Sequence, residues 1–457
     1  MRLGGRISAA IEILEDFEAR RVPLKTAIAD WSRVNRFAGA KDRAFISGLC
    51  LDVLRRRKSL AKSMEDESGR AAVLGALRFL WRQTAEEIAA AATEEHGPGA
   101  LTDKEKEKLS QPIIPAKAGI QDTKSSPVDM DPRFRGDDRE GGHVADYPGW
   151  LAPHVTRVFE NRADEVMNAF SERADIDLRI NTLKTTPEKA LAALKPVKAD
   201  AIPLLKTAAR IAAPDPSEKA PGVTVIPAFN KGWVEVQDLG SQLAASAAGD
   251  VKGAQVLDYC AGGGGKTLAL AAMMENTGQL YAYDRDARRL KPLFDRAKRA
   301  GVRNLQIRSP AGGEGLDDLE GKMDVVFVDA PCTGAGTWRR HPDTKWRLTG
   351  KQLETRMAEQ DAVLVEAARY VKPGGRLVWV TCSFLMEENE DRLVAFLETH
   401  SEFARAPALS FMEQSGLLTE EGRTALEPCV TQDRAIRLTP DKIRADGFFV
   451  AVLAKAV

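Results

Sequence analysis

Two cysteines stand just beyond two short apolar runs, and their surroundings suggest chemistry. Cys332 follows "VVFVD" within "DAPCTG", and Cys382 follows "LVWV" within "VTCSFLMEENE". A buried thiol is usually a small hydrophobe filling space. Two thiols at equivalent strand tips, one of them three residues after a carboxylate (Asp329), are a poor fit to that role. The set suits methylation of a pyrimidine at C5. Cytosine C5 is a weak nucleophile until a thiolate adds at C6, and a carboxyl group near N3 balances the charge that collects on the ring. C5 then takes the methyl group, a base removes the C5 proton, and the thiol leaves, helped by a second cysteine. A free thiol is only a few per cent ionised at pH 7, so the attacking one needs an activating site. Spacing alone does not say which of the two attacks.

The elements that must position these residues follow from periodicity. After residue 250 the chain alternates short apolar strands with amphipathic helices: "AQVLDYCAGGGGKTLALAAMM", "QLYAYDRDARRLKPLFDRAKRAG", "LQIRS", "MDVVFVDAPCTG", "KQLETRMAEQDAVLVEAARYV", "GGRLVWVTCS", "EENEDRLVAFLETH" and "DGFFVAVLAK". This rhythm predicts a doubly wound, mostly parallel Rossmann-like α/β sheet over 231–457, with ligands beyond the carboxyl ends of its strands. The first strand runs into a glycine loop that is neither a Walker A loop, since position 260 is Cys, nor a dinucleotide fingerprint, since Thr267 stands where the third glycine belongs. Asp284, closing "YAYD" twenty residues after Gly264, suits the ribose hydroxyls of a bound nucleoside, in NAD or in S-adenosyl-L-methionine (SAM).

Upstream, residues 1–97 read as an all-α domain: "RISAAIEILEDFEARR" places Ile7, Ile11, Ile13, Leu14 and Phe17 on one face. Residues 1–62 hold 14 Lys/Arg against 7 Asp/Glu, including "RRRK" at Arg55–Lys58, although the whole chain has net charge zero. Such a surplus is an electrostatic footprint suited to phosphates. Residues 98–143 lose periodicity and read as a flexible linker. Within it "IPAKAGIQ" and "DPRFRGDD" resemble the translated arms of a bacterial palindromic element, because the reverse complement of codons for Pro115–Ala118 encodes Arg133–Gly136 in frame. About 111–140 is therefore expected to be an insertion. Residues 144–230 mix helix and strand in a small α+β module, with "DLRINTLK" and "GVTVIP" as strands. No long apolar run suggests a membrane span. Five cysteines without a CxxC pair, and histidines apart from them, suggest neither a disulfide framework nor a metal site. The expectation is a cytoplasmic monomer.

The motifs "DYCAGGGGKT", "YDRDARRL", "VDAPCTGAGTWRRHPDTKW", "VTCSFLMEENE" and "DGFFVA", with "YPGWL", "LRINTLK" and "VQDLGSQL" before them, resemble the bacterial RsmB-like (Sun family) RNA cytosine-5 methyltransferases. The first domain, with "KDRAFISGLCLDVLRRRK", is similar to the NusB-like RNA-binding domain such enzymes carry. The resemblance implies Cys382 as nucleophile, Cys332 as the thiol that assists release, and Asp329 on the cytosine edge and near the methyl donor. It implies a SAM loop of Cys260, Ala261, Gly262, Gly263, Gly264, Gly265 and Lys266, with Asp284 on the ribose and Arg289 beside it. Arg179, Asn181, Trp338, Arg339 and Arg340 are expected against RNA, most simply small-subunit rRNA. Two departures stand out: Gly262-Gly263 replace the family's Ala-Pro, and "IRSPAGGEG" lacks the usual third-strand aspartate for adenine, leaving backbone or Asp317 to serve. The rival readings are a tRNA methyltransferase, a non-catalytic RNA-binding assembly factor and an NAD-dependent oxidoreductase. The last explains neither cysteine.

Overall fold

The computed structural model describes residues 1–112, 145–215, 221–310 and 315–457. The expected insertion at about 111–140 lies almost entirely outside these residues. The chain divides into two compact units. One holds 1–173 and 338–348 of the described residues; the other holds 174–213, 221–337 and 349–457.

The first unit is helical: α1 (Leu3–Arg20), α2 (Leu24–Val34), α3 (Ala40–Arg55), α4 (Arg57–Met64), α5 (Gly69–Gly75), α6 (Ala85–Ala92), α7 (Asp103–Leu109), α8 (Ala152–Phe159) and α9 (Ala163–Phe170). The predicted face of α1 turns inward, with Ile7, Ile13, Leu14 and Phe17 buried and Ile11 partly so. Burying such a stripe, rather than intrinsic propensity, holds these short helices. The domain does not end at residue 97. Thr102 caps α7, its hydroxyl accepting from the Glu105 amide while the Glu105 carboxylate accepts from the Thr102 amide, and Leu109 is fully buried in the unit's core. Charge in "TDKEKEKL" hid this short helix, since only its capping box marks it.

In the second unit, β1 (Ile176–Ile180), β2 (Ala199–Ala201), β3 (Ala208–Ile211) and β4 (Val234–Val236) make an antiparallel sheet in the order β2-β3-β1-β4. The predicted strand at "GVTVIP" is instead a 3-10 turn, Val223–Val225, leading into a helical turn at Pro227–Asn230. Pro227 at the first helical position sets φ for a helix and offers no amide to a sheet.

The larger sheet holds β5 (Gln255–Asp258), β6 (Gln279–Tyr283), β7 (Leu305–Arg308), β8 (Met323–Asp329), β9 (Val371–Thr381), β10 (Phe403–Ala406), β11 (Ile436–Leu438) and β12 (Phe448–Lys455). Its order is β10-β12-β9-β8-β5-β6-β7, with β11 paired to β12. Strands β5 to β9 pair in parallel, whereas β12 runs antiparallel to β9. Apolar clusters cover both faces, one around Val256, Val325, Phe327 and Val380 and the other around Leu257, Val326, Val328 and Trp379. Strand order reverses at β5, between β6 and β8, which is where ligands bind in such sheets. Among the described residues no helix is long and apolar enough to cross a membrane, and no three His, Cys, Asp or Glu gather as a metal site.

Candidate active site

Strands β8 and β9 are parallel neighbours in a register that pairs Asp329 with Val380. Both run to the same rim, so the residues that follow them must meet. The Cys332 and Cys382 sulfurs lie 3.4 Å apart. The loop bearing Cys332 is pinned from below. Glu388, fully buried, accepts from the Thr333 amide (2.7 Å) and hydroxyl (2.6 Å), and Gln360 donates to the Pro331 carbonyl (2.8 Å). The loop bearing Cys382 is pinned in turn, since Asn389 accepts from the Thr381 hydroxyl and donates to the Ser383 carbonyl. The Gly336 amide donates to the Cys382 carbonyl at 2.9 Å. The sequence drew no attention to Glu388, Asn389 or Gln360. The available signal was a run of acids directly after an apolar strand, where a carboxylate meets unpaired amides.

These surroundings raise the acids above their ordinary ranges. The Cys332 thiol is held well above the usual range, first by its hydrogen bond with Cys382, then by burial and by the nearby charges of Cys382 and Glu388. It therefore stays a thiol and can donate to the Cys382 sulfur. Burial also raises Glu388, against the lowering effect of its hydrogen bonds.

The glycine loop lies between β5 and the helix Gly265–Met273. Gly262 has φ +51° and Gly264 φ +82°, conformations that favour glycine. A Cβ on Gly264 would fall 2.2 Å from Leu293 Cδ1, so the helix Ala287–Ala300 packs directly on the loop. Asp284 directly follows β6 and is buried. It accepts from the Gly262 amide (3.0 Å) and the Asp286 amide (2.9 Å), and Arg289 pairs with it at 2.9 Å. Arg289 lies across the place a Gly262 side chain would take, at 3.2 Å, and Arg296 donates to the Gly263 carbonyl. Two arginines thus brace the loop that glycine leaves free of a proline.

Lys266 is buried and binds Asp329 at 2.7 Å, with its ammonium 5.1 Å from the Phe448 ring centre. Burial opposes its charge, but Asp329 outweighs burial and the Lys266 pKa is raised, with Cys382 and Asp258 adding to the effect. Asp329 keeps about a third of its side chain exposed, so it can serve a ligand on its open side. Asp258, which the sequence reading passed over, ends β5 with no exposure. It accepts from the Thr267 hydroxyl at 2.6 Å and is pushed up to about 7 by burial. Cys260 is also raised by burial and packs beside Tyr259. Ala261 donates its amide to the Tyr283 carbonyl. Asp317 lies exposed in a 3-10 turn.

Most of the residues expected against RNA are not at the surface. Arg179 and Asn181 are buried; Arg179 donates to Gln237, and Asn181 holds the carbonyls of Gly232 and Ala300. Trp338 and Arg339 are each 1% exposed and belong to the helical unit, while Arg340 is half-buried there. The "RRRK" run is likewise no open patch, because Arg55 and Arg56 are buried. Arg55 donates to the Arg339 carbonyl and to Asp52, and Arg56 to Asn168. Lys345 Nζ and Trp346 Nε1 donate to the Arg55 and Leu54 carbonyls at 2.9 and 2.7 Å, satisfying the end of α3. A sequence of basic and aromatic residues reads the same whether it faces nucleotides or closes a helix end.

Comparison with known proteins gives the family. Residues 248–454 match the family model "16S rRNA methyltransferase RsmB/F", and 147–217 match its "ferredoxin-like domain". A Synechocystis protein named "Probable ribosomal RNA small subunit methyltransferase B" is 31% identical over 322 residues, covering 69% of this chain and 68% of its own. A Photorhabdus laumondii protein named "Ribosomal RNA small subunit methyltransferase B" is 30% identical over 312 residues, covering 68% and 66%. The chain thus spans about two thirds of the length of these curated relatives. Among solved structures, PH0851 covers 99% of both chains at 24% identity and TM-score 0.68, which speaks for the fold. A "Methyltransferase Homolog Protein from Pyrococcus Horikoshii" is 27% identical at TM-score 0.53, covering 68% of this chain and 95% of its own. The braced glycine loop and the buried carboxylate directly after β6 fit SAM, the methyl donor for this rim. The chain belongs to the RsmB/F family of methyltransferases.

Proposed function

We propose that the protein methylates C5 of a cytosine in ribosomal RNA, in the small subunit as the names of its relatives indicate, through a covalent bond between Cys382 and C6. The observation that carries this reading is the pair of thiols 3.4 Å apart beside the Lys266–Asp329 pair. When bound, SAM supplies an electrophilic methyl group. Cys382 adds to C6, and Asp329, open on one side, takes a hydrogen bond from the cytosine edge. Lys266 holds Asp329 in place. Cys382 loses its proton to solvent on attack; after methylation a base removes the C5 proton, the Cys382–C6 bond breaks, and Cys332 donates a proton to the departing sulfur and regains one from solvent. A base in a folded RNA must first be unstacked, at a cost of a few kcal/mol. The helical unit is read as the NusB-like RNA-binding part, and the protein as a cytoplasmic monomer.

Tritiated methyl transfer from SAM into unmodified small-subunit rRNA, followed by nucleoside analysis, tests the reading. Label in 5-methylcytidine is the expected result. Transfer to tRNA alone would move the substrate, and SAM binding without transfer to any RNA would favour an assembly factor.

A further inference from the structure

With "RRRK" and Trp338–Arg340 largely occupied inside the helical unit, a phosphate footprint on this unit would lie elsewhere. In the turn between α2 and α3, cations and an aromatic ring are exposed together. Val34 is 84% exposed and Phe37 71%, while their neighbours Ala38 and Phe45 turn inward at 1% and 7%. Around them Arg33, Arg36, Lys41 and Arg43 are exposed. Arg43 Nε donates to the Ala38 carbonyl at 2.9 Å, which lays its guanidinium along the turn. The acids close in sequence are already engaged. Asp42 is buried against the N-terminal ammonium, Arg6 and the Gly39 amide, and Asp30 is shared by Arg20 and Arg33. A lone exposed apolar residue is ordinary. A ring held out beside Arg36, Lys41 and Arg43, with the nearby acids Asp30 and Asp42 engaged elsewhere, has the makeup of a platform for an unpaired base and its phosphates.

We propose that the turn 33–43 binds single-stranded or looped RNA, with one base stacked on Phe37 and flanking phosphates met by Arg36, Lys41 and Arg43. This rests on the reading of the protein as an RNA methyltransferase and adds a contact remote in sequence from the thiols. A protein partner would use the same ring as plain apolar surface, and the substitutions below separate the two cases.

The test is binding of the full chain to transcribed small-subunit rRNA across about 50–200 mM salt. Stacking of one base is worth about 1–3 kcal/mol, so F37A is expected to weaken binding roughly 5- to 150-fold. F37Y should bind as wild type and F37L as F37A, since leucine keeps the apolar surface and loses the ring face. R36A/K41A should lower the slope of log affinity against log salt by about 1.4, at about 0.7 per phosphate on a single strand. Wild-type binding by F37L, or F37A binding unchanged with an unaltered salt slope, would overturn the proposal. Methyl transfer on the same RNA keeps the two claims apart. Phe37-dependent binding without transfer by wild type upholds this platform and sinks the proposed reaction, whereas normal transfer with Phe37-independent binding does the reverse.

Discussion

The end of α3 in the helical unit and the rim carrying the two thiols both bury ionisable groups, but shift them in opposite directions. In the helical unit Arg55, Arg56, Arg339 and Lys345 are buried around the end of α3. Burial lowers Arg55 to about 10 and Lys345 to about 7. At the rim Asp258, Glu388 and Cys332 are held above their ordinary ranges, Asp258 and Glu388 chiefly by burial and Cys332 first by its bond to Cys382. The first arrangement ties a chain segment to a helix end with charges that already have carbonyl and carboxylate partners. The second sets a protonated thiol beside another sulfur, the one proposed to leave. Buried charge is therefore not a sign of function by itself; what separates the regions is whether a reactive atom stands next to it.

The largest effect should come from breaking the cationic cluster. R55A leaves Asp52 to Arg173 and Trp81 and the Arg339 carbonyl without its donor. It should cost the helical unit about 3–5 kcal/mol, read by hydrogen-exchange protection of α3 peptides. E388A should do the opposite, with a small loss of stability and a fall in methyl transfer of about 100-fold. The loop bearing Cys332 is then free to shift, and a displacement of about 1 Å can cost that much. E388Q, which keeps an acceptor for the Thr333 amide, should lie between E388A and wild type. An E388A enzyme with full activity would show that the loop needs no anchor.

In pH dependence the two clusters should differ in sign. Asp258 is raised in the folded chain, so its contribution is full below about pH 4 and is lost as pH rises through about 7. Lys345 is lowered, so the unfolded chain binds the extra proton between about pH 7 and pH 10, and stability in its region rises over that window. Protection of β5 peptides should fall with pH and that of α3 peptides should rise. D258N should flatten the first trend and K345M the second. Parallel trends in the two regions would contradict the contrast.

The parts of the fold that sequence made legible are those where one period repeats. Strands β5 to β9 and β12 alternate with helices, and the glycine loop, Asp284 and both thiols fall at strand ends where turn chemistry leaves few choices. The site's supports were harder to see. Glu388 and Asp258 act through amides and hydroxyls that only the folded rim brings near, and no spacing announces them. "RRRK" and "TWRRHPDTKW" misled for a related reason, because Arg55, Arg339 and Lys345 find their partners hundreds of residues away in sequence. The turn holding Phe37 was hidden in the same basic stretch, and only its exposure distinguishes it.

The division of labour between the two thiols is the centre of the account. Denaturing gels of wild type, C382A and C332A incubated with SAM and unmodified small-subunit rRNA test it most directly. The account predicts no adduct and no transfer for C382A, and an accumulating protein–RNA adduct for C332A, which can form the bond but lacks the proton donor to break it. An adduct with C382A and none with C332A would contradict it and reverse the two roles.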